Sequence, residues 1–290
     1  MVFNFLLVLV ILLLVMQGVA FVTLCERHCL GGSQIRVGPN KVSFAGLLQA
    51  VFDGLKLFKK ELIMGEKSAV FYFLSVPGVA FIISNMYWMV LPYFYSFFTF
   101  DYSIIFMMCL VGLFVYCVLM AGIVSKSKFG TLGGIRSSSQ SVSYEVIFSL
   151  YLLSLLMQVS SYYYDFFMNF YSVIFCMFYL FLVLAELNRA PFDFSEGESE
   201  LVSGFNVEYS GVSFVFLFLS EYGSLLFFSV LYSVIFMGFS MVGVGVFFCL
   251  VLFVRSSFPR YRYDKMMSFF WFVLLPLVLM ILFWSVVFWL

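Results

Sequence analysis

The fold is decided by the stretch Tyr209–Val254, YSGVSFVFLFLSEYGSLLFFSVLYSVIFMGFSMVGVGVFFCLVLFV, in which Glu221 is the one charged residue. As a single helix this stretch would be about 69 Å long at a rise of 1.5 Å per residue. The hydrocarbon core of a bilayer is about 30 Å thick, so the stretch has to hold two membrane spans. The expected turn between them is at Met237–Gly238.

The composition of the whole chain also indicates a membrane protein. Of the 290 residues, 64% are hydrophobic and 10% are charged, whereas a soluble domain has about 25% charged residues. This excludes an ordinary soluble protein and a disordered one. The net charge is zero, so no nucleic-acid partner is expected. Cys25, His28 and Cys29 are too few for a closed metal site, which needs about four ligands.

We predict one all-α, polytopic membrane domain over residues 1–290, with eight transmembrane helices. Each span needs about 20 apolar residues. The predicted spans are residues 2–24, 68–91, 102–125, 143–163, 169–187, 212–235, 238–254 and 266–290. The first has no basic flank and no small-residue cleavage site, so it is expected to be a retained helix and not a signal peptide.

An additional amphipathic helix is predicted in the first connection, over residues 43–61. Its apolar residues recur at helical spacing, and Lys56, Lys59 and Lys60 cluster near its C-terminal end. A helix of this length with three lysines is expected to lie in the membrane interface. It either anchors the chain among the lipid headgroups or helps to admit an amphiphilic substrate, and the sequence leaves both open.

The positions of the basic residues support the count of eight. The first, third, fifth and seventh connections contain all 15 lysines and arginines, whereas the opposite side has only Asp101 and Asp165. We call the side with the lysines and arginines the basic face. Because positive loops stay on the side from which a membrane protein is inserted, both termini are expected on the side opposite the basic face.

Carboxylates mark where the chemistry is expected. Glu145, Glu186 and Glu221 lie within or at the ends of predicted spans, where a charge costs about 2.5–3.5 kcal/mol and usually marks an ion or proton path. The fifth connection adds a run of acids on the basic face: Asp193, Glu196, Glu198, Glu200 and Glu208. This run is either a solvated loop that pairs with a neighbour's arginines or a proton-loading cluster, and composition does not decide between them.

Four segments of the basic face carry a family resemblance. They run over Glu26–Glu61, Ser125–Glu145, Glu186–Tyr222 and Arg255–Asp264. The third, which begins ELNRAPFD and continues with EGESELVSGFNVEY, is the longest and most specific. The chain resembles the subunit 1 family of respiratory complex I, the proton-pumping NADH:ubiquinone oxidoreductase, in its mitochondrially encoded form.

The resemblance implies a subunit that joins the electron-transfer arm of the complex to its membrane arm and has no complete active site of its own. The proton-path carboxylates that it implies are Glu145, Glu186, Glu196, Glu198, Glu200, Glu208 and Glu221. The residues that it implies for the quinone chamber and the junction are Arg27, Gln34, Arg36, Asp53, Arg136, Arg189, Asp193 and Arg255.

The resemblance further implies partners and a location. Ubiquinone is the expected substrate, and the flavin and iron–sulfur clusters are expected in partner subunits, so that this chain alone binds no cofactor. The expected partners are other complex I subunits (the quinone-site subunits of the peripheral arm and small membrane-arm subunits) and the lipid bilayer. The expected location is the mitochondrial inner membrane, with the basic face in the matrix and both termini on the intermembrane-space side.

Two other functions remain compatible with the residues alone. One is a stand-alone proton or cation transporter, which buried carboxylates would fit equally well. Such transporters are often built from inverted repeats with broken helices, and we see no clear internal repeat. The other is a purely structural anchor that holds a soluble redox arm through its charged loops.

Overall fold

The computed structural model of the chain describes residues 2–63, 65, 69–93, 102–159, 172–194 and 204–289. Regular structure in these ranges is helical, as predicted. The α-helices are α1 (Val2–Ser33), α2 (Gln49–Lys59), α3 (Val70–Met89), α4 (Ser103–Val124), α5 (Lys128–Val159), α6 (Ser172–Glu186), α7 (Gly211–Met237), α8 (Met241–Ser257), α9 (Tyr263–Phe269) and α10 (Leu275–Trp289). A π-helical turn, Phe270–Leu274, joins α9 to α10.

Six helical segments of the described part are long and apolar enough to cross a membrane. They are Leu6–Ser33, Val70–Met89, Ser103–Val124, Lys128–Gln158, Gly211–Met237 and Tyr263–Val287. The predicted fifth and seventh spans correspond to shorter apolar helices, Phe175–Glu186 and Met241–Ser257. The start of the fifth predicted span and the end of the fourth lie outside the described residues.

Helix α7 lies at the centre of the bundle, where it packs against α1, α3, α6 and α8. Large aromatic side chains fill the space around it: the Tyr87 and Phe227 rings stack with centroids 5.1 Å apart, and those of Tyr179 and Phe247 are 5.5 Å apart. Between helices in lipid, close packing of this kind replaces the hydrophobic effect as the main attraction. The turn that the sequence predicts after Met237 is found there, with Gly238 at φ 62°.

Helix α5 begins fifteen residues before the predicted fourth span, at Lys128 and not at residue 143. The additional turns are rich in serine and glycine, which hides them from a hydropathy window. Their hydroxyls are satisfied within the helix, as where the Ser137 hydroxyl donates to the Gly134 carbonyl at 3.0 Å. The glycines allow close contact with α4, since a Cβ at Gly122 would lie 2.8 Å from Cα of Gly134.

The first connection also differs from the prediction. Helix α1 continues to Ser33, beyond the predicted end of the span at Leu24, and Glu26 in this extension pairs with Arg189 and Arg255 inside the bundle. The predicted helix over residues 43–61 is shorter, since α2 covers Gln49–Lys59. Positive φ angles at Ser43 and Ala45 (59° and 51°) break the helical path before it.

Candidate functional site

Three charged residues and a tyrosine, from four parts of the chain, meet at Glu26, in the last third of α1. Glu26 is 4% exposed. The Tyr222 hydroxyl donates to its Oε2 at 2.6 Å. Its Oε1 accepts a hydrogen bond from Nη1 of Arg255 and lies 3.5 Å from Nη1 of Arg189. We call Glu26, Arg189, Tyr222 and Arg255 the arginine–glutamate cluster; it joins α1, α7, α8 and the connection after α6.

Arg189 is held between several groups just after the end of α6. Its backbone N–H donates to a carbonyl in the last turns of α6 at 3.2 Å. Its guanidinium carbon lies 4.4 Å from the centre of the Tyr222 ring, which is a cation–π contact. Burial lowers the pKa of Arg189, but interactions with Tyr222, Glu26 and Glu221 outweigh burial and leave this pKa raised. The side chain therefore stays charged.

A small cavity of about 20 Å³ lies beside Arg189, with room for about one water molecule. Helices α4, α6 and α7 contribute to its wall. The lining residues are Phe114, Val118, Glu186, Leu187, Asn188, Arg189, Phe205, Glu221 and Ser224. We call it the glutamate cavity, because it brings together two of the carboxylates that the sequence predicts for the proton path, Glu186 and Glu221.

Helix α5 fixes both Glu186 and the backbone that follows it. Glu186 is 8% exposed and interacts with the side chain of Tyr144, while its Oε2 is buried without a partner among the described residues. One turn before Tyr144, the Gln140 amide donates to the carbonyls of Ala185 at 3.1 Å and Phe192 at 3.0 Å. These contacts fix the carboxyl group and the connection that carries Arg189.

Glu145 faces a different space from Glu186 and Glu221. It lines a lateral groove of about 170 Å³ together with Met108, Val111, Val146, Phe148 and Ser149. Gly112 of α4 makes room for its carboxylate, since a Cβ there would lie 2.6 Å from Oε1 of Glu145. Glu145 does not line the glutamate cavity, although it is close enough to Glu186 to interact electrostatically.

The predicted chamber residues of the first connection form two exposed pairs. Arg27 Nη1 contacts Asp53 Oδ2 at 2.7 Å, and the Gln49 amide donates to the other Asp53 oxygen at 2.8 Å. The Arg36 Nε–H donates to Oε1 of Gln34 at 2.7 Å. The Arg27–Asp53 pair attaches α2 to α1, whereas the second pair lies within the loop between them.

The remaining predicted site residues are dispersed. Asp193 pairs with Arg260 at 3.1 Å and so ties the connection after α6 to the one after α8. Arg136 is half-buried in the first part of α5, and Glu208 is exposed just before α7; neither lines the glutamate cavity. The last three acids of the predicted path, Glu196, Glu198 and Glu200, lie outside the described residues.

The sequence profile of the NADH dehydrogenase family matches residues 6–286. The chain belongs to the NADH dehydrogenase family. It is 44% identical to the NADH-ubiquinone oxidoreductase chain 1 of Aedes aegypti over 96% of this chain and 93% of that protein. It is 42% identical to the protein of the same name from Locusta migratoria over 98% and 94% of the two chains. The resemblance seen in the sequence is thereby confirmed.

Several site residues of this NADH dehydrogenase family member were missed by sequence reasoning. Glu26 and Tyr222 were noted only as parts of similar segments, and the contacts of Tyr144 and Gln140 were not expected. The structure explains the burial of Glu26, which follows Val19 by seven residues and so lies two turns along the same helix face as that fully buried valine. The sequence alone carries no signal for it.

Among the described residues, no three His, Cys, Asp or Glu side chains come together in a group that could hold a metal ion. The His28 ring instead supports the backbone of the first connection. Its Nε2 lies 3.1 Å from the Ala45 carbonyl, and a Cβ at Gly38 would lie 2.5 Å from its Nδ1. The His28 ring thus contacts the backbone of the first connection at two points.

Proposed function

We propose that the chain is a membrane subunit of a proton-translocating NADH:ubiquinone oxidoreductase and that it couples quinone reduction to proton movement. Family membership and the names of the relatives support the first part. The observation that carries the second is the glutamate cavity, which Glu186 and Glu221 line from different helices together with Arg189, and Arg189 interacts electrostatically with Glu221. Two carboxyl groups that lie between apolar helices, near a cation that stays charged, can change their protonation in response to a nearby charge.

The chain itself carries out no electron transfer in this proposal. Reduction of ubiquinone at the basic face changes the local charge and takes up protons. The arginine–glutamate cluster links that face to the glutamate cavity, so the change reaches Glu186 and Glu221, which exchange protons. Glu145 continues the path towards the lateral groove and the next subunit. The residues proposed to load protons from the connection after α6 are Glu196, Glu198, Glu200 and Glu208.

We place the ubiquinone chamber next to α1, α2 and the connections of the basic face. Helix α2 supports this placement, because no residue of it is buried and the exposed Arg27–Asp53 pair attaches it to α1. Its apolar side is therefore available to lipid and to an amphiphilic substrate at the membrane surface. The residues proposed for the chamber and the junction are Arg27, Gln34, Arg36, Asp53, Arg136, Arg189, Asp193 and Arg255.

The proposed topology has eight spans with α2 in the interface. Six long apolar helices supply six of them, and α6 and α8 supply the others. Helix α8 would be about 26 Å long at 1.5 Å per residue, which a locally thinner bilayer or snorkelling side chains can accommodate. The basic face is then in the mitochondrial matrix and both termini are on the intermembrane-space side of the inner membrane.

The proposed partners are the quinone-site subunits of the peripheral arm, small membrane-arm subunits and the bilayer. Ubiquinone is the substrate, and the flavin and iron–sulfur clusters reside in the partner subunits. Arg260 and other residues of the basic face would contact the peripheral arm, since exposed charges of this kind suit a polar protein interface.

Two experiments test the proposed function. A photoreactive ubiquinone analogue should label the chain within α2 or near Arg36 in the intact complex, and excess ubiquinone should suppress the labelling. Glu186→Gln and Glu221→Gln should each lower quinone reductase activity while NADH oxidation by an artificial acceptor continues. The exposed Asp264→Asn is the matched control and should leave both activities unchanged.

Other results would favour the alternatives. A chain that purifies without flavin or iron–sulfur proteins and still moves cations in liposomes would favour the stand-alone transporter. Labelling that never reaches this chain, together with normal activity of both glutamate variants, would favour a structural anchor. Either result would refute the proposed function.

A further inference from the structure

The arginine–glutamate cluster contains more groups than one ion pair between two helices would need. Two cations share the buried Glu26 carboxylate, and they differ in their own burial: the Arg189 side chain is 11% exposed and that of Arg255 is 33% exposed. Oε2 of Glu26 is occupied by the Tyr222 hydroxyl. Arg255 is thus the outer cation, and Arg189 is the one that reaches inward.

Arg189 is also the residue that the two sites have in common. It contacts Glu26 on one side and lines the glutamate cavity with Glu186 and Glu221 on the other. It lies in an irregular connection, so no helix fixes its direction, and a long arginine side chain has many rotamers. The Tyr222 ring supports the guanidinium from one face, whereas Glu26 provides a carboxylate that forms an ion pair with it at 3.5 Å.

We propose that Glu26 is a positioning residue that holds the Arg189 guanidinium at the glutamate cavity. Tyr222 completes the arrangement, because its hydroxyl orients the Glu26 carboxylate while its ring supports the guanidinium. Without the negative charge of Glu26, Arg189 and Arg255 repel each other, and Arg189 loses its fixed place beside Glu221. This inference rests on the proposed function, in which the cavity takes part in proton movement.

A double-mutant cycle in the assembled complex tests the inference. The variants are Glu26→Gln, Arg189→Gln and the two combined, with Asp264→Asn as the control for loss of an exposed carboxylate. We expect Glu26→Gln to lower quinone reductase activity about tenfold or more, since small displacements of a positioned group have effects of this size. The double variant should lose no more activity than Arg189→Gln alone, because both substitutions disable the same guanidinium.

The pH profile separates positioning from a merely structural effect. In Glu26→Gln and in Arg189→Gln the pH profile of quinone reductase activity should shift in the same direction and by the same amount, because both substitutions remove the same guanidinium from its place at the glutamate cavity. The charged and titratable groups around Arg189 in the described residues are Glu26 of α1, Glu221 and Tyr222 of α7 and Arg255 of α8, and Glu186 at the end of α6 lines the same cavity.

Two results would overturn the inference: losses that multiply in the double variant, or a profile that shifts in Arg189→Gln alone. If the complex carrying Glu26→Gln does not assemble, Tyr222→Phe replaces it in the same double-mutant cycle, because it removes the hydroxyl that orients Glu26 and keeps the ring. Activity losses that multiply in the double variant Tyr222→Phe and Arg189→Gln would overturn the inference equally. A failure of the proposed function would be recognised by a different result: normal quinone reductase activity and normal proton movement in Glu186→Gln and Glu221→Gln.

Discussion

Replacement of Gln140 by leucine should loosen the connection that carries Arg189. The Gln140 amide donates to the carbonyls of Ala185 and Phe192, at 3.1 and 3.0 Å, and Gln140 is fully buried. Leucine has a similar size but no donor. Each lost hydrogen bond is worth about 0.5–1.5 kcal/mol, so the two together contribute about 2 kcal/mol to keeping the connection closed.

Hydrogen exchange measures this effect directly. About 2 kcal/mol corresponds to a change of about 30-fold in an opening equilibrium, at 1.4 kcal/mol for each factor of ten. The amides of Arg189 and Phe192, which donate to backbone carbonyls at 3.2 and 2.8 Å, should therefore exchange about 30-fold faster in Gln140→Leu. Gln158→Leu, near the other end of α5, is the matched control and should leave these amides unchanged. Equal exchange in Gln140→Leu and the native chain would refute the claim that α5 holds this connection.

Three further substitutions test other parts of the structure. Gly112→Ala should displace the Glu145 carboxylate, because the new Cβ would lie 2.6 Å from its Oε1. The carboxylate is the far end of a flexible side chain beside the lateral groove, so the thermal midpoint should change little while proton translocation falls, and native proton translocation would contradict the proposed place of Glu145 in the path. Asp53→Asn should change thermal stability by no more than about 1 kcal/mol, because the pair with Arg27 is exposed. It should nevertheless raise the KM for ubiquinone at unchanged kcat, and an unchanged KM would argue against a chamber beside α2. Tyr209→Phe should cost about 1 kcal/mol, since it removes a buried hydroxyl that donates to an α4 carbonyl at 3.0 Å; a thermal midpoint equal to that of the native chain would contradict this contribution.

Hydrophobic length and turn chemistry made much of the fold predictable. Tyr209–Val254 is too long for one span, and the structure divides it with Gly238 in a left-handed conformation. The start of α5 was not predictable by the same means, because its serines satisfy their hydroxyls inside the helix and its glycines pack against α4. Neither property contributes to hydropathy.

The candidate site was predictable only in part. The resemblance and the cost of charge in a membrane drew attention to Glu186, Glu221 and Arg189, and the structure brings these three to one cavity. The role of Glu26 depends on contacts with residues 163, 196 and 229 positions further along the chain. No local pattern encodes such distances, and only the packing of α1 against α7 and α8 brings these groups together.

Proton translocation per electron in Glu221→Gln is the most direct test of the coupling claim. The intact complex carrying this variant, reconstituted into sealed vesicles, should oxidise NADH with an artificial acceptor at the native rate. Its quinone reductase activity and its proton translocation should both be low, because Glu221 can no longer exchange a proton beside Arg189. A native rate of quinone reduction with a native number of protons moved per electron would contradict the account.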